Sequence, residues 1–548
     1  MTIRNGAQRV PSWRFSLGLS IGAGVALALA FPGYNVPLLG WVSVAGLIVA
    51  TLGAGIGQAA LGGLAFGAAF YSFSVPWIYT VMHEYGPLPA WQAAGVMALM
   101  ILVASPYFVA FAMAMAWISR RSVRAAVWAS PFLWVACEWG RSRMPDIAFP
   151  WNLLGYAASG NLALVQIASV TGIFGLSFLM ACYNAILVAL LLSLREKTWN
   201  RAAALGLAVL TAALVLVSAV GGRFVPVALP TAEAHLVQMN LPQSESYPAN
   251  WDQLHARDMQ EIRDISVNAA RRQPGVIVWP EVPAPFSMEQ PEFAQRAAGI
   301  ARDAGSLFLL GVVDWKASAA GAEAPYNSAV MLDAQGREEF LYDKMHLVPF
   351  SEYIPWRRYF FFAKGILFLV GEFHPGTQYR VGQLDGGRFA VFICYESIFP
   401  DQVRRFVLGG AGVLINISDD GWFGRSAAPA QSLAMARVRA VENRRWLLRD
   451  TNNGLTASVD PYGRVVASMA PDVRGELDAP YAFRDTLSFY TRWGDWVAEI
   501  STLIGMLLLA WASVGGRPAG NSAASASSAA PRRTKTKRTK TKRKGPGK

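Results

Sequence analysis

The sequence predicts a polytopic α-helical membrane protein of about eight spans that carries an α/β domain outside the cytoplasm. Two observations lead to this prediction. Hydrophobic residues make up 53% of the chain and the mean hydropathy is +0.29, which is too apolar for a purely water-soluble protein. Between residues 223 and 492 the pattern changes to short β-type runs separated by helical and turn segments, as in α/β domains.

Long stretches with few or no charges identify the predicted spans, because about 20 apolar residues cross a bilayer as a helix. They cover roughly residues 15–31, 38–54, 56–82, 90–118, 124–140, 163–193 and 201–221, and a last one covers 494–514. A cleaved signal peptide is not expected, since the first apolar run is followed directly by further spans. The number of these stretches also argues against the alternative that each is a buried core helix.

The charges of the loops predict how the spans are oriented. Cations cluster at the N-terminus and after the fourth and sixth spans, at Arg4, Arg9, Arg14, Arg120, Arg121, Arg124, Arg195, Lys197 and Arg201. The loops on the opposite side are poorer in cations. The positive-inside bias therefore places both termini in the cytoplasm. With seven spans before it, the segment 223–492 then lies in the periplasm or its equivalent.

Four parts follow from these features. We expect an N-terminal membrane domain (1–222), an outer domain (223–492), a closing transmembrane helix (493–515) and a disordered basic cytoplasmic tail (516–548). Residues 531–548 contain ten Lys or Arg and no acid, so most of the net charge of +13 lies there. Since the tail follows a cytoplasmic helix end, attraction to anionic lipid is favoured over binding to nucleic acid, and no nucleic-acid partner is predicted.

The outer domain is long enough to bury a core of its own. Strands are predicted at 235–239, 275–280, 307–313, 327–333, 338–342, 388–393, 412–417, 447–450 and 456–459, and helices at 251–272, 291–304, 400–409 and 428–443. This alternation predicts sheets covered by helices.

Cys394 is the only cysteine of the outer domain, because Cys137 and Cys182 both lie in predicted spans. It ends an apolar β-type run, where a thiol is either a small core hydrophobe or a nucleophile. Disulfides are normally made outside the cytoplasm. A cysteine without a partner there favours a thiol kept for its reactivity.

Three predicted strands deliver chemically capable residues, namely Glu281, Lys344 and Cys394. Catalytic groups gather at strand carboxyl ends in α/β sheets. A carboxylate, an ammonium and a thiol suit nucleophilic acyl transfer: Glu281 takes the thiol proton, Cys394 forms a thioester, and Lys344 with the N–H after the cysteine stabilises the oxyanion. The alternative is that Glu281 and Lys344 form a surface ion pair. Three prolines around Glu281 confine its backbone more than a solvated acid requires.

These residues carry a resemblance to known families. Trp279-Pro-Glu281, Tyr342-Asp-Lys344 and Cys394-Tyr395-Glu396 resemble the Glu–Lys–Cys segments of the nitrilase, or carbon–nitrogen hydrolase, superfamily, whose fold is an αββα sandwich. Residues 344–355, 416–424 and 451–454 are more closely similar to the apolipoprotein N-acyltransferase family, as is the order of spans around the outer domain. The resemblance covers roughly residues 15–514.

The resemblance implies acyl transfer in two steps. Cys394 would attack an acyl ester of a membrane phospholipid, with Glu281 as general base and Lys344 as oxyanion partner. The N-terminal α-amino group of a diacylglyceryl-cysteine apolipoprotein would then take the acyl chain. The expected location is a bacterial inner membrane, with the active site facing the periplasm.

Five further residues receive supporting roles from the same resemblance. Glu352 would be a second acid beside the triad, Tyr395 and Glu396 would shape the pocket of the nucleophile, and Trp422 would lie on a loop near the site. Tyr247 stands where the family usually has a tryptophan that helps to hold substrate. The sequence shows no metal-ligand spacing, phosphate loop or dinucleotide fingerprint, and no metal or cofactor is expected.

Two other functions fit parts of the pattern. A membrane-anchored amidase would hydrolyse a C–N bond through the same thioester. A transporter would place ionisable residues at mid-membrane depth, whereas the predicted spans are almost free of charge, Glu138 being the main exception. The apolar and aromatic segment 353–370 is expected either to dip into the membrane interface or to be buried in the core.

Overall fold

The computed structural model of the chain describes residues 12–86, 88–198, 200–243, 247–248, 250–317, 323–355, 373–514 and 547. Within these ranges a bundle of apolar helices precedes an α/β sandwich, and one further apolar helix follows it. Most of the predicted apolar arm at 353–370 lies outside the described residues, as does the basic tail apart from Gly547. The division of the chain into four parts stays a prediction.

Helices cover each of the segments that were predicted to span a membrane. The longer ones are Trp13–Ala28, Ser43–Thr51, Ile56–Ser74, Ala90–Ala104, Pro106–Ser119, Val123–Arg141, Ala168–Arg195, Arg201–Val220 and Trp496–Val514. Shorter helical turns lie at Pro37–Trp41, Trp77–Thr80, Val81–Tyr85, Leu154–Ala158, Leu164–Ile167 and Gly221–Phe224.

Length and composition identify fewer candidate membrane spans in the described residues than the eight predicted. Five helical stretches in the described residues are long and apolar enough to cross a membrane: Ile56–Ser74, Ala90–Ser119, Leu164–Arg195, Arg201–Phe224 and Trp496–Val514. The apolar helices Trp13–Ala28 and Pro37–Thr51 are shorter. The helix Val123–Arg141 contains three charged residues, Arg124, Glu138 and Arg141. The count of eight spans therefore stays a prediction.

Twelve strands form the α/β domain within the described residues. In chain order they are β1 (Ala232–Gln238), β2 (Val276–Val278), β3 (Phe308–Ala317), β4 (Glu323–Leu332), β5 (Glu338–Asp343), β6 (Gly382–Leu384), β7 (Gly387–Ile393), β8 (Val413–Ser418), β9 (Trp446–Thr451), β10 (Ala457–Val459), β11 (Val465–Ser468) and β12 (Gly475–Tyr481). They pair into two six-stranded sheets, with the orders β12-β1-β2-β3-β4-β5 and β11-β10-β9-β8-β7-β6. β1, β2 and β3 are parallel, as are β7, β8 and β9, and the outer strands are antiparallel.

The two sheets pack face to face and helices cover their outer faces. Alternate side chains of a strand point to opposite faces, so Leu236 of β1 faces the other sheet and Val237 faces the helices. The helices Ala256–Arg272 and Pro291–Ala304 cover the first sheet. The helices Pro400–Leu408 and Ala428–Asn443 cover the second. The resulting αββα sandwich, behind a bundle of apolar helices, confirms the predicted fold class.

Sequence reasoning located most of these elements and missed three strands. Each predicted strand overlaps an observed one, and each predicted helix of the domain is present. The missed strands β6, β11 and β12 are antiparallel partners at or next to the sheet edges. β11 is largely exposed and β12 contains a proline and two acids. Their pairing partners, rather than their own composition, make them strands.

Polar contacts join the sandwich to the membrane helices, and the helix Ala428–Asn443 makes several of them. Gln431 accepts a hydrogen bond from the indole N–H of Trp151 at 2.7 Å. At its other end, Glu442 accepts a hydrogen bond from the backbone N–H of Ile173 at 2.8 Å. All four residues are at least half-buried. Buried polar groups that form hydrogen bonds across this junction hold the two parts in one relative position.

Candidate active site

Cys394 lies where β7 turns into a short 3-10 helix, Cys394–Ile398. Its φ of +49° is in the left-handed region that residues other than glycine seldom adopt. The thiol is half-buried. Burial and the nearby carboxylate of Glu281 hold the pKa of Cys394 well above its ordinary value, while Lys344 and a contact with Ser418 act in the opposite direction. The resting sulfur is therefore a protonated thiol.

A buried lysine forms the centre of the charged group beside this thiol. The Lys344 ammonium donates to Glu281 Oε1 at 2.9 Å and to Glu352 Oε1 at 2.9 Å. The side-chain amide of Asn327 donates to the same two oxygens, at 2.8 and 2.7 Å. Two donors thus bridge two carboxylates, and an ammonium has a third N–H left for a group next to Cys394.

The charges of this group are set by burial and pairing. Burial by itself raises the pKa of Glu281, but Lys344 and hydrogen bonds from Asn327 and the Asp419 N–H bring it below its ordinary value. Burial lowers the pKa of Lys344, yet the carboxylates of Glu281 and Glu352 and the thiol raise it well above its ordinary value. Glu281 is therefore a carboxylate and Lys344 an ammonium at neutral pH.

Local packing explains why these side chains meet. Glu281 follows β2, and Gly311 of β3 lies so close that a Cβ there would be 2.5 Å from the Pro280 carbonyl oxygen. Lys344 follows β5, and its N–H donates to the Asn327 carbonyl of β4 at 2.8 Å. The segment after Lys344 folds back so that the Val348 N–H donates to Glu352 Oε2 at 2.7 Å. The close strands bring residues far apart in sequence to one end of the sandwich.

Glu396 is fully buried and connects the cysteine turn to the lysine segment. Its carboxylate accepts five hydrogen bonds, from the Tyr342 hydroxyl, the Gln402 amide and the N–H groups of Met345, His346 and Ile393, at 2.6–3.1 Å. Ile393 immediately precedes the cysteine and Met345 immediately follows Lys344. Glu396 therefore fixes the position of Cys394 relative to Lys344.

Tyr395 faces the membrane helices. Its hydroxyl donates to the Ala148 carbonyl at 2.9 Å and its ring stacks on Phe149 at 6.5 Å between centroids. Beside it is a cavity of about 680 Å³ at the junction of the two parts of the molecule. Residues of both parts line it, among them Arg143, Met144, Phe174, Tyr353, Tyr395 and Phe399.

Trp422 and Tyr247 lie on loops on another side of Glu281. Trp422 is half-buried in the short helix Asp420–Phe423 that follows β8. Just before that helix, the Asp419 N–H donates to Glu281 Oε2 at 3.0 Å. Tyr247, on the loop after β1, interacts electrostatically with the Asp419 carboxyl and packs on Trp251 with 6.2 Å between ring centroids.

The structure thus brings Glu281, Lys344 and Glu352 together beside Cys394, whereas Trp422 and Tyr247 lie on the neighbouring loops. It also adds three residues that were missed. Asn327, Ser418 and Asp419 contact Glu281 or Cys394 directly. Asn327 begins a predicted strand, and a polar side chain at the start of an otherwise apolar run was the available signal. Ser418 and Asp419 belong to a segment whose resemblance had been noticed, but nothing in the sequence related them to Glu281.

One group of potential metal ligands occurs in the described residues, at His235, Glu476 and Asp478. Both imidazole nitrogens are engaged, Nδ1 with Glu476 at 2.7 Å and Nε2 with the Gln273 carbonyl at 2.8 Å. The Arg272 guanidinium already pairs with both acids. The Arg272 guanidinium and the His235 imidazole thus neutralise Glu476 and Asp478. We interpret the group as an ion-pair network.

Two family models match the chain. The model described as the apolipoprotein N-acyltransferase N-terminal domain matches residues 23–186, and the carbon-nitrogen hydrolase model matches residues 234–478. A solved structure of an amidase from Nesterenkonia sp. is 20% identical, covering 49% of this chain and 95% of that one with a TM-score of 0.36. Together with the sandwich and its Cys–Lys–Glu group, the family models define the class: a membrane-associated enzyme with a carbon–nitrogen hydrolase domain.

Curated relatives narrow that class. The apolipoprotein N-acyltransferase of Geobacter metallireducens is 31% identical over 507 residues, which cover 91% of this chain and 93% of that protein. That of Methylococcus capsulatus is 32% identical over 88% of this chain and 93% of its own length, and that of Brucella melitensis is 31% identical over 92% and 96%. The chain belongs to the apolipoprotein N-acyltransferase family, as the sequence motifs predicted.

The five hydrogen bonds to Glu396 generate a first prediction. In Glu396→Gln one oxygen becomes an amide donor, so at least one buried N–H or O–H loses its acceptor, at about 1–3 kcal/mol each. We expect the melting temperature in detergent to fall by several degrees. Glu338→Gln makes the same change at the exposed start of β5 and serves as the control. Equal melting temperatures for both variants would contradict the role of Glu396 as a connector.

Proposed function

We propose that this protein transfers an acyl chain from a membrane phospholipid, through a thioester on Cys394, to the N-terminal α-amino group of a diacylglyceryl-cysteine apolipoprotein. The observation that carries the proposal is the position of Cys394 between two features. The buried Lys344–Glu281 pair lies on one side, and Tyr395 joins the turn to the membrane helices on the other. The name shared by the relatives supports the substrate class.

In the first step the Cys394 sulfur attacks the acyl ester. Glu281 accepts the thiol proton and returns it to the departing alkoxide, so that a lysophospholipid leaves and a thioester remains. The Lys344 ammonium and the N–H of Tyr395 stabilise the oxyanion of the tetrahedral intermediate. The raised pKa of Cys394 means that proton transfer accompanies attack rather than preceding it.

In the second step the α-amino group of the acceptor attacks the thioester carbonyl. The same oxyanion donors stabilise the second tetrahedral intermediate. Its collapse forms the amide and expels the Cys394 thiolate, which recovers a proton through Glu281. No metal or cofactor takes part in either step.

The supporting residues act by position. Glu352 pairs with Lys344 and so keeps the Lys344 ammonium directed at the reacting carbonyl. Glu396 fixes the cysteine turn, and Tyr395 separates the thiol from the membrane helices, where the acyl chain of the donor would lie. Trp422 and Tyr247 are half-buried on the loops that border Glu281, and we assign them to contacts with the acceptor.

The cavity beside Tyr395 suits a lipid donor. Its lining combines apolar side chains from both parts of the molecule with the ion pairs Arg143–Asp495 and Arg405–Asp401. Apolar surface next to charged groups of both signs suits a lipid with a polar headgroup attached to acyl chains. A donor bound there would present its ester to Cys394 from the side of the membrane helices.

The orientation completes the proposal. The cation-rich loops support cytoplasmic termini and place residues 223–492 in the periplasm of a bacterial inner membrane. Diacylglyceryl-modified lipoproteins and the outer leaflet would then be accessible to Cys394. The helix after residue 493 returns the chain to the cytoplasm, where the basic tail 516–548 follows it.

Hydrolysis of a C–N bond, the alternative, uses the same thioester and differs only in the nucleophile that resolves it. Membership of the N-acyltransferase family and the extensive helix bundle both favour transfer, because a soluble amide substrate requires neither. Identification of the product distinguishes the two reactions.

The nucleophile gives the first test of the function. Cys394→Ser should form no acyl adduct after incubation with phospholipid in detergent, while intact protein gains one acyl mass by mass spectrometry. Cys182→Ser, a matched change inside the helix Ala168–Arg195, should load normally. An acyl adduct that persists on Cys394→Ser at the normal rate would remove the assignment.

Asn327 gives a test that depends on pH. Its amide lowers the pKa of Glu281, and Asn327→Leu removes that hydrogen bond at nearly constant volume. The pKa of Glu281 should therefore rise, and the acidic limb of the loading rate should move to higher pH, since loading requires the carboxylate. Asn268→Leu, on an exposed helix position, is the control. An unmoved acidic limb would show that Glu281 is not the titrating base.

The orientation is tested by labelling. In a variant without native cysteines, a cysteine at Gln335 in the exposed turn before β5 should react with a membrane-impermeant maleimide added outside intact cells. A cysteine at Thr198, exposed after the helix Ala168–Arg195, should react only after the membrane is opened. The reverse pattern would put the site in the cytoplasm.

A further inference from the structure

Asp419 is a buried carboxyl group without a cationic partner among the described residues. It is 2% exposed. Its oxygens accept from the Gln243 amide at 2.5 Å, the Gly421 N–H at 3.1 Å and the Asn452 amide at 3.2 Å. These donors are uncharged, whereas buried carboxylates are normally paired with a cation. Its neighbour Asp420, by contrast, forms a buried ion pair with Arg449 at 2.8 Å.

Two buried carbonyl oxygens next to Asp419 also have no hydrogen-bond partner in the described part of the chain. They are Gln243 Oε1 and Asn453 Oδ1. Both side chains converge over Gly421, where an added Cβ would lie 2.4 Å from the Gln243 amide nitrogen and 2.8 Å from that of Asn453. Orphaned buried acceptors are rare in folded proteins. Together with the unpaired carboxyl, these two acceptors indicate a site for a donor that the described residues do not supply.

This group of acceptors is adjacent to the reacting atoms. The Asp419 N–H donates to Glu281 Oε2 at 3.0 Å, and Ser418 contacts the Cys394 sulfur. Gln243 and Asn453 are half-buried, so the cluster borders solvent. Glu281 therefore lies between the thiol and the cluster.

A primary ammonium has three N–H donors and one positive charge, which matches one carboxylate and two carbonyl oxygens. We propose that Asp419, Gln243 and Asn453 bind the α-ammonium group of the acyl acceptor, and that Asp419 takes its first proton. This inference rests on the proposed transfer reaction and specifies which residues receive the amine.

The protons then balance. The acceptor enters as an ammonium, which cannot attack because its lone pair carries a proton. Asp419 takes that proton, and the free amine attacks the thioester. The second proton passes to Glu281 and from there to the Cys394 thiolate as the amide forms. Asp419 finally releases its proton to solvent, so one acceptor ammonium yields one amide, one thiol and one free proton.

The pKa of the Asp419 carboxyl suits the removal of a proton from an α-ammonium group. Burial raises the pKa of Asp419 to about 7, the Gln243 hydrogen bond opposes the rise, and the Glu281 carboxylate adds to it. An α-amino group has an ordinary pKa of about 8, so transfer of the proton is nearly balanced. The titratable groups that interact with the Asp419 carboxyl are Glu281 and, across the β1 loop, Tyr247.

The subsite also accounts for transfer rather than hydrolysis. Water carries no charge and loses a proton only as it attacks the thioester. Glu281 alone is sufficient to accept that proton. An ammonium must lose one proton before attack and another afterwards. A second carboxylate beside Glu281 is therefore useful to an amine acceptor and superfluous for water.

Asp419→Asn tests the inference in single turnovers. The thioester is first loaded from phosphatidylethanolamine in detergent and then mixed at pH 7 with a synthetic peptide that begins with diacylglyceryl-cysteine. Loading and transfer are measured in parallel, and the ratio of the transfer rate to the loading rate should fall about 100-fold, as for loss of a general base that only the amine requires. Asp303→Asn makes the same charge change at an exposed ion pair with Arg263 and should behave as the unmodified protein.

Hydroxylamine provides a matched second acceptor. It is uncharged at pH 7 and needs neither an ammonium site nor prior deprotonation, so it should cleave the thioester equally fast in Asp419→Asn and the unmodified protein. Gln243→Met removes one acceptor together with the hydrogen bond that its amide donates to Asp419, and should raise the KM for the peptide about tenfold. An unchanged KM would remove Gln243 from the subsite.

Three results would overturn the inference. Normal transfer by Asp419→Asn would show that the carboxyl has no part in it. Loss of thioester loading in that variant would mean that Asp419 only supports Glu281. Slower cleavage by hydroxylamine would assign it a general effect on the thioester. Failure of the unmodified protein to load any acyl chain is a different outcome, because it would overturn the proposed function and the inference with it.

Discussion

The arrangement of the site depends on a buried ammonium. Lys344 is 1% exposed, and an ion removed from water must recover its hydration energy from partners in fixed positions. Glu281 and Glu352 supply the opposite charge, and Asn327 holds the two carboxylates together. Loss of one partner of such a pair costs about 3–5 kcal/mol. The same requirement therefore holds a carboxylate and an ammonium beside Cys394.

A second constraint aligns the cysteine with that charged group. Glu396 accepts hydrogen bonds from both sides of the site, so the turn at Cys394 and the segment after Lys344 cannot move independently. Next to it, Tyr395 belongs to the same hydrophobic core as the membrane helices. The rigid contact between sandwich and helices thus extends to the residue after the thiol. A soluble enzyme of this fold needs no such connection, whereas one that draws a substrate from lipid does.

The junction also gives the site two different sides. Towards the helices lie Tyr395 and the cavity lined by apolar side chains and ion pairs. On another side of Glu281 lie Asp419 and the orphaned carbonyl oxygens of Gln243 and Asn453. The first suits a lipid and the second a cationic amine. Two chemically distinct surfaces around one thiol are appropriate to a reaction that takes two different substrates in turn.

By itself the sequence determined the helices of the membrane part, most strands of the sandwich and the residues Glu281, Lys344 and Cys394. These features are local: apolar runs reveal spans, alternation reveals strands, and motifs surround each reactive residue. Only the tertiary structure decided which groups meet. Asn327 and Asp419 join the site because strands distant in sequence end side by side, and Glu396 proved to be a connector because its five donors come from separate segments. Such contacts depend on packing between elements, and no sequence pattern within a single segment predicts them.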